Sequence, residues 1–391
     1  MIFLLERVSF LTLLHSFCEN AQKNGGLNLP PLFLKKLMSI ITQSSTLCRL
    51  FEQSTKCRRL TEAKLNTFPV IGHYAVSDIA QYRRYAHHIL NCSNDLKIRV
   101  FQDFTEEGMV GRTSIENARW CRVRHCPMCQ FARSSKMRAR LFKAFSDYQF
   151  KSNYSFLTLT IRNRPLNELR VAFAEMSDGW RRLINRRTFP VLGFLRSMEV
   201  TMQRDRLPGD KKKNTGPPTR SPDGQLMAHP HFHIVLELED GFDIHLKENK
   251  VWLVDEWTSA LRSDYRPSIS CDKIRPTNGS FAEALLETCK YTVKPGDFSD
   301  APGSKSTKKS QSSHLVLPKP YGAEWLYGIT EQLHGLRAVR LGGTFAKICS
   351  QEQLDEIDEL SSDDDVSQAG DLLRLVWNDL RSKWDINECS L

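Results

Sequence analysis

The most informative stretch of the chain is His229-Pro230-His231-Phe232-His233-Ile234-Val235-Leu236. Its composition is typical of a β-strand, in which successive side chains alternate between two faces. The three histidines then share one face, whereas Phe232, Ile234 and Leu236 share the other, which we expect to be buried. Neutral imidazole is a common metal ligand, so the pattern predicts a divalent metal site. A solvated or hydrogen-bonded histidine cluster is the alternative.

A second predicted strand, from Phe194 to Thr201, contains Glu199. If this strand pairs with the histidine strand, the carboxylate joins two or three imidazoles. A mixed nitrogen and oxygen set with open positions suits Mg²⁺ or Mn²⁺ acting on a phosphate. The alternative for Glu199 is a salt bridge at a sheet edge.

Seven secondary-structure elements are predicted around these residues. Strands are predicted at 154–161, 194–201, 230–238 and 268–274, and helices at 167–186, 251–261 and 281–293. The order β-α-β-β-α-β-α indicates an α+β fold with a central, mainly antiparallel sheet flanked by helices. Two basic segments rich in Pro, Gly and Ser, 204–225 and 296–318, are predicted to be flexible loops.

A cysteine cluster precedes these elements. Cys121, Cys126 and Cys129 have C-x4-C-x2-C spacing, which is typical of a structural zinc site. The fourth ligand is predicted to be Cys92, with His125 as the second choice, and free reduced cysteines are the alternative. A disulfide framework is not favoured, because the chain is long and its 11 cysteines are an odd number.

The charge distribution predicts a polyanionic partner. The chain has 391 residues, which is too long for one hydrophobic core, so two or more domains are expected. Its net charge is +10. Its last 41 residues contain 12 acidic and three basic side chains (−9), so the remainder is +19. A body this basic favours nucleic acid. The candidate phosphate contacts beside the cysteines are Arg122, Arg124, Arg133, Lys136 and Arg138.

The two ends of the chain give less information. We expect the acidic last 41 residues to be solvated and disordered, and the alternative is that they compete with DNA for the basic surface. We expect Leu372 to Trp384 to be helical. Residues 1–60 receive no function. No signal peptide or membrane span is predicted, and we expect a cytoplasmic protein.

The last predicted helix contains a possible nucleophile. Glu287, Tyr291 and Lys294 share one helical face. A tyrosine can attack phosphorus and form a covalent ester with DNA, an ammonium such as Lys294 eases the attack, and a carboxylate can act as a general base. An ordinary amphipathic helix is the alternative.

Together, these motifs resemble the initiator proteins of rolling-circle plasmids, in the HUH endonuclease superfamily. The segment from Phe156 to Thr160 with Asn163 is similar to the first motif of that family, His229 to His233 to the second, and Tyr291 to Lys294 to the third. The cysteine cluster resembles a region found before the catalytic domain. The resemblance therefore spans about residues 90–345.

The resemblance implies an HUH-type catalytic domain over residues 141–345, preceded by a basic zinc-binding region over 61–140 and followed by an acidic tail over 346–391. Tyr291 would nick the double-strand origin and remain on the 5′ phosphate. Glu287 would assist termination, and His231, His233 and Glu199, with His229 as a further candidate, would bind the catalytic metal. The implied partners are duplex and single-stranded origin DNA, host helicase and host DNA polymerase, and a homodimer is left open.

Two other functions remain open from the sequence. A relaxase or single-strand transposase would use the same chemistry, although the motif order favours an initiator. A zinc-dependent DNA-binding regulator without catalysis would retain the cysteines and the basic charge, but it would leave Tyr291 and the histidine strand without a role.

Overall fold

The computed structural model describes residues 54–105, 108–146, 153–205, 216–274, 284, 288, 321–360 and 371–390. Across these residues the fold is α+β with antiparallel pairing and flanking helices, as the sequence predicted, but it has two sheets rather than one.

The described helices are α1 (Thr55–Leu65), α2 (Thr67–Ala75), α3 (Ala80–Leu90), α4 (Pro127–Ser146), α5 (Leu169–Ile184), α6 (Lys247–Leu261), α7 (Gly322–Gln332), α8 (Thr344–Ile348) and α9 (Gln351–Glu359). The strands are β1 (Asp95–Thr105), β2 (Gly108–Ala118), β3 (Asn153–Thr160), β4 (Arg164–Pro165), β5 (Val191–Met202), β6 (Met227–Leu238), β7 (Ile269–Ile274), β8 (Val339–Gly343), β9 (Asp371–Asn378) and β10 (Lys383–Ser390).

The chain divides into two compact units, and the first contains the four-stranded sheet β10-β9-β1-β2. All three strand pairings are antiparallel. The Arg374 guanidinium contacts the Asp95 carboxylate at 2.7 Å and joins β9 to β1. It also holds the pKa of Asp95 below its usual value.

The C-terminal segment corrects two predictions. Leu372 to Trp384 is not helical, because it lies in β9, a turn and β10. Its buried Leu373, Leu375 and Trp377 alternate at period two, the strand pattern, which a helical interpretation of the same apolar run overlooked. The segment is also not simply solvated, since α9 contributes Leu354 and Ile357 to a buried core.

The second unit contains the larger sheet, in the order β7-β3-β6-β5-β8, with β4 pairing with β6. Every pair in it is antiparallel. The six elements predicted between residues 154 and 274 are confirmed within a few residues at each end. Of the predicted helix at 281–293, only Ala284 and Thr288 lie within the described residues, and both are helical.

One face of this sheet is covered by α5. Leu169, Phe173, Met176, Trp180 and Leu183 have helical spacing and are all buried. The Phe173 ring stacks on that of Phe232, with centroids 6.1 Å apart. The strand alternation predicted for β6 therefore directs Phe232 into a core.

The opposite side of the sheet contains Glu199, His231 and His233 and is called the histidine face. Further along β5 and β6 it contains Leu195 and Val235, which belong to a second core. The other buried members of this core are Met137, Leu141, Phe145, Tyr154, Ile274, Ala284, Phe345, Cys349, Leu354 and Ile357. Helices α4, α8 and α9, together with Ala284, therefore pack on the histidine face.

The loop predicted as flexible over 204–225 has paired ends. Asp205 donates its backbone N–H to Pro217 O at 3.0 Å, and Thr219 donates to Gln203 O at 3.0 Å. Arg220 and Leu226 form a further bridge. The described ends are therefore ordered, because backbone pairing extends the β5–β6 connection. The second predicted loop, 296–318, lies outside the described residues.

Candidate metal centres

The first candidate centre is built by direct pairing of β5 and β6. Glu199 is the register partner of His231, and Ser197 is the partner of His233. Glu199 Oε2 lies 2.8 Å from His233 Nε2 and 3.4 Å from His231 Nε2. One ligand atom from each of the three side chains lies within 4.8 Å of the others. From the sequence, Glu199 would join the imidazoles only if its strand paired with the histidine strand, and the structure shows this pairing.

Hydrogen bonds orient both rings. His231 Nδ1 lies 3.2 Å from the carbonyl oxygen of His229, which can only accept, so Nδ1 carries the proton. His233 Nδ1 lies 3.1 Å from Thr158 Oγ1, in the register-paired residue of β3. Each Nε2 consequently faces the Glu199 carboxylate.

This arrangement fits a cation. A neutral His231 presents an unprotonated Nε2 to Glu199 Oε2, so two hydrogen-bond acceptors face each other. Glu199 is 3% exposed, and burying an ionised carboxylate is costly without a compensating positive charge. A divalent ion, or a proton shared with an imidazole, removes both costs. Two nitrogens and one oxygen leave positions open for substrate, as a catalytic site requires.

His229 lies outside this group of ligand atoms. Its Nδ1 is 2.7 Å from Asn163 Oδ1, and its ring centroid is 5.4 Å from that of His231. The structure thus brings together three of the four predicted ligands, while the fourth is held at the edge of the cluster by a residue from the first sequence motif.

The second candidate centre consists of Cys92, Cys121, Cys126 and Cys129, whose sulfur atoms lie within 4.8 Å of one another. Cys129 Sγ is 3.6 Å from the sulfur atoms of both Cys92 and Cys121. Disulfide sulfurs would be about 2.05 Å apart. Four thiolates about 2.3 Å from a tetrahedral zinc ion would be separated by about 3.8 Å, which the observed spacing matches.

The burial of these cysteines also fits a cation. Burial raises the pKa of the Cys126 thiol well above its usual value, and a cation among the sulfur atoms would supply the positive charge that its thiolate needs. Cys92, the first choice for the fourth ligand, joins the cluster, whereas His125 does not. His125 is instead fully buried, and that burial lowers its pKa to about 3.

The predicted phosphate contacts differ in their surroundings. Arg122 is exposed and has a positive φ of 60°, whereas Arg124, Arg133, Lys136 and Arg138 are half-buried. Arg133 donates to Arg122 O at 3.1 Å, so its guanidinium supports the backbone of the cysteine loop. Arg138 donates to Ser134 O at 3.0 Å within α4. Of the five, Arg122 is the one most open to a phosphate.

The proposed nucleophile and its neighbours, Glu287, Tyr291 and Lys294, lie outside the described residues. Ala284 and Thr288, which are described, are buried, and Thr288 Oγ1 donates to Ala284 O at 2.8 Å. Ala284 belongs to the core on the histidine face. Ala284 therefore lies on the same side of the sheet as the three candidate ligands.

One residue in contact with the cluster was given no role from the sequence. Thr158 lies in the first motif, but its contact with His233 depends on the β3–β6 register. A threonine in an alternating strand gives no signal of its own, because Thr is common in strands. Pairing of the first motif with the second is the signal that could have identified it.

Comparison with known proteins shows what this chain is similar to. The Rep_1 family, described as "Replication protein", matches residues 112–385. A "Protein rep" of Bacillus amyloliquefaciens is 28% identical over 302 residues, which cover 71% of this chain and 80% of that protein. A "Protein rep" of Streptococcus pneumoniae serotype 2 is 24% identical, and the match covers 68% of this chain and 76% of that protein. A "Replication protein" of Staphylococcus aureus is 26% identical, and the match covers 60% of this chain and 90% of that protein.

No solved structure matches the chain significantly. Among the helices that the structure describes, none has the length and apolar character needed to cross a bilayer.

Proposed function

The chain belongs to the Rep_1 replication protein family, and we propose that it initiates plasmid rolling-circle replication by nicking one strand of the origin through a covalent 5′-phosphotyrosine. The family match and the replication protein relatives support a plasmid replication initiator with origin DNA as its partner. The nicking chemistry and the HUH assignment are the further steps proposed here.

The observation that supports catalysis is the contact of Glu199 with both His231 and His233, at 3.4 and 2.8 Å, on the face where Ala284 also packs. We assign His231, His233 and Glu199 to Mg²⁺ or Mn²⁺, with His229 at the edge of the site. When bound, such an ion supplies Lewis-acid polarisation of a phosphate oxygen.

The chemical steps are assigned to three further residues of this chain. The Tyr291 oxygen attacks phosphorus, the bond from phosphorus to the 3′ oxygen breaks, and the 5′ phosphate remains on Tyr291. The leaving 3′ oxygen takes up a proton and becomes the primer terminus. A free phenol has a pKa of about 10, so Lys294 favours attack by stabilising the phenolate. Glu287 activates water or a second hydroxyl for termination.

The cysteine cluster is proposed to bind a structural zinc ion. Its ligands are Cys92, Cys121, Cys126 and Cys129, and the cluster spans the loop that leads into α4. Because α4 contributes Met137, Leu141 and Phe145 to the core on the histidine face, the zinc site supports the catalytic face from one end of that helix. Host helicase and DNA polymerase are the further partners proposed.

A covalent adduct tests the proposal. Wild-type protein is incubated with origin single-stranded DNA and Mn²⁺, and we expect an SDS-resistant protein–DNA band. Tyr291→Phe should abolish it, because it removes the nucleophilic oxygen and retains the ring. Tyr321→Phe is the matched control and should still form the adduct.

The non-catalytic regulator is the rival function. It predicts DNA binding without an adduct in every variant, so an absent wild-type band together with tight DNA binding would favour it. Loss of the adduct in a His231→Ala, His233→Ala double variant that still binds duplex DNA would support the metal assignment.

A further inference from the structure

Arg196 is a buried cation on the side of the sheet opposite the histidine face. It lies in the middle of β5, and its side chain is 4% exposed. Its guanidinium carbon is 4.1 Å from the centre of the Phe232 ring, so the group stacks on the residue between the two metal-ligand histidines. This stacking is a favourable cation–π contact, but it offers no hydrogen-bond acceptor.

The hydrogen-bonding capacity of Arg196 is left unused within the described part of the chain. Its Nε is buried, with no acceptor in hydrogen-bond range among those residues. A guanidinium has five N–H donors, and buried charges are ordinarily paired with an acceptor or an opposite charge. Burial accordingly lowers the pKa of Arg196 to about 9.

A second arginine is held directly beside it. Arg340 of β8 is the register partner of Arg196, so the two side chains project from the same face of the sheet. Like charges directly opposite on neighbouring strands repel each other, and Arg340 contributes to the lowered pKa of Arg196. Arg340 is exposed on the edge strand and makes no ion pair with any described residue.

From these observations we infer that Arg196 and Arg340 form a phosphate-binding site at the β8 edge of the sheet, separate from the centre on the histidine face. A phosphate oxygen in this position would accept hydrogen bonds from the forked guanidiniums and offset the repulsion between them. The proposed ligand is a backbone phosphate of the DNA strand, and free phosphate is the other source of the same chemistry. Only the choice of DNA as source rests on the proposed function.

The site can be tested without any nicking activity. Thermal unfolding of the full chain is followed in inorganic phosphate and in chloride at equal ionic strength. We expect phosphate to raise the Tm of wild type, and Arg196→Met to lose this rise. Arg340→Gln should reduce it. The matched control is Arg187→Gln, which removes an equal charge from another exposed position in the same unit and should retain the rise.

The ligand-free Tm separates a binding site from a structural role. Replacing an unpaired buried charge by an apolar side chain of similar length is often neutral or stabilising, so Arg196→Met should unfold no earlier than wild type in chloride. If this variant fails to fold, Arg340→Gln still tests the site, because Arg340 is exposed and its replacement should not prevent folding.

The source of the phosphate is determined with a single-stranded oligonucleotide and no added divalent ion. Loss of one charge-assisted contact should weaken binding about tenfold in Arg196→Met and Arg340→Gln, well beyond the effect of Arg187→Gln. A phosphate-dependent Tm rise with equal oligonucleotide affinities would assign the site to free phosphate. An equal Tm response in all four proteins, with a lower chloride Tm for Arg196→Met, would overturn the inference. A missing covalent adduct would leave this result intact.

Discussion

At the scale of single residues, the candidate catalytic centre depends on side chains that orient the ligands. Thr158 contacts His233 Nδ1, the His229 carbonyl contacts His231 Nδ1, and Asn163 contacts His229. Partners of this kind select the tautomer that leaves Nε2 available to a metal, and their loss reduces metal affinity. The first sequence motif therefore contributes to the site by positioning the second.

Thr158→Val should weaken Mn²⁺ binding by about 10- to 100-fold, because it removes the hydroxyl that orients His233 while keeping a β-branched side chain. Isothermal titration calorimetry with Mn²⁺ measures the change. Thr160→Val is the matched control, since the Thr160 hydroxyl donates to Ser268 O, away from His233. Equal Mn²⁺ affinities in the two variants would contradict this role of Thr158.

At the scale of elements, the cysteine cluster lies at the start of α4. Pro127 opens the helix, where its missing N–H has no consequence, and Cys129 lies in the first turn. The same helix ends in the core through Leu141 and Phe145. An ion bound by the four sulfurs would therefore anchor the start of an element whose other end supports the histidine face.

Cys126→Ala should reduce the zinc content from about one equivalent per chain to near zero and lower the Tm, because binding a structural zinc ion contributes directly to folding. Elemental analysis of the purified protein and a thermal melt check both effects. Cys271→Ala removes a half-buried thiol outside the cluster and should keep the zinc. A full equivalent of zinc in Cys126→Ala would refute the assignment.

At the scale of the whole molecule, strands that are far apart in the sequence meet in one sheet. Asp95 and Arg374 are 279 positions apart, yet they pair across β1 and β9. The acidic C-terminal segment is thus partly a structural element of the first unit. Any effect of its charge on DNA binding is superimposed on this structural role.

Truncation after Leu360 should destabilise the first unit, because it converts β1 from an inner strand into an exposed edge. We expect faster amide hydrogen exchange over residues 95–100 and increased light scattering. Leu380→Ser, at a turn position that is 93% exposed, should change neither measurement. Unchanged exchange in the truncated chain would instead indicate that the acidic segment acts only through its charge.

Local patterns in the sequence determined the elements around the candidate centre. The alternation from His229 to Leu236 was sufficient to predict β6 and its buried face, and the spacing from Leu169 to Leu183 was sufficient for α5. The α+β class followed from the order of these elements, and the family motifs followed from their residues. These features depend on neighbours a few positions apart, which a sequence contains directly.

Tertiary structure alone decided which distant residues meet. Glu199 reaches His231 only because β5 pairs with β6 in one register, and a shift by one residue would direct it into the opposite core. Arg196 and Arg340 become neighbours through the same kind of pairing, and that the strand at Leu373 pairs with β1 is likewise seen only in the structure. Strand pairing depends on the packing of the whole sheet, so no local pattern specifies it.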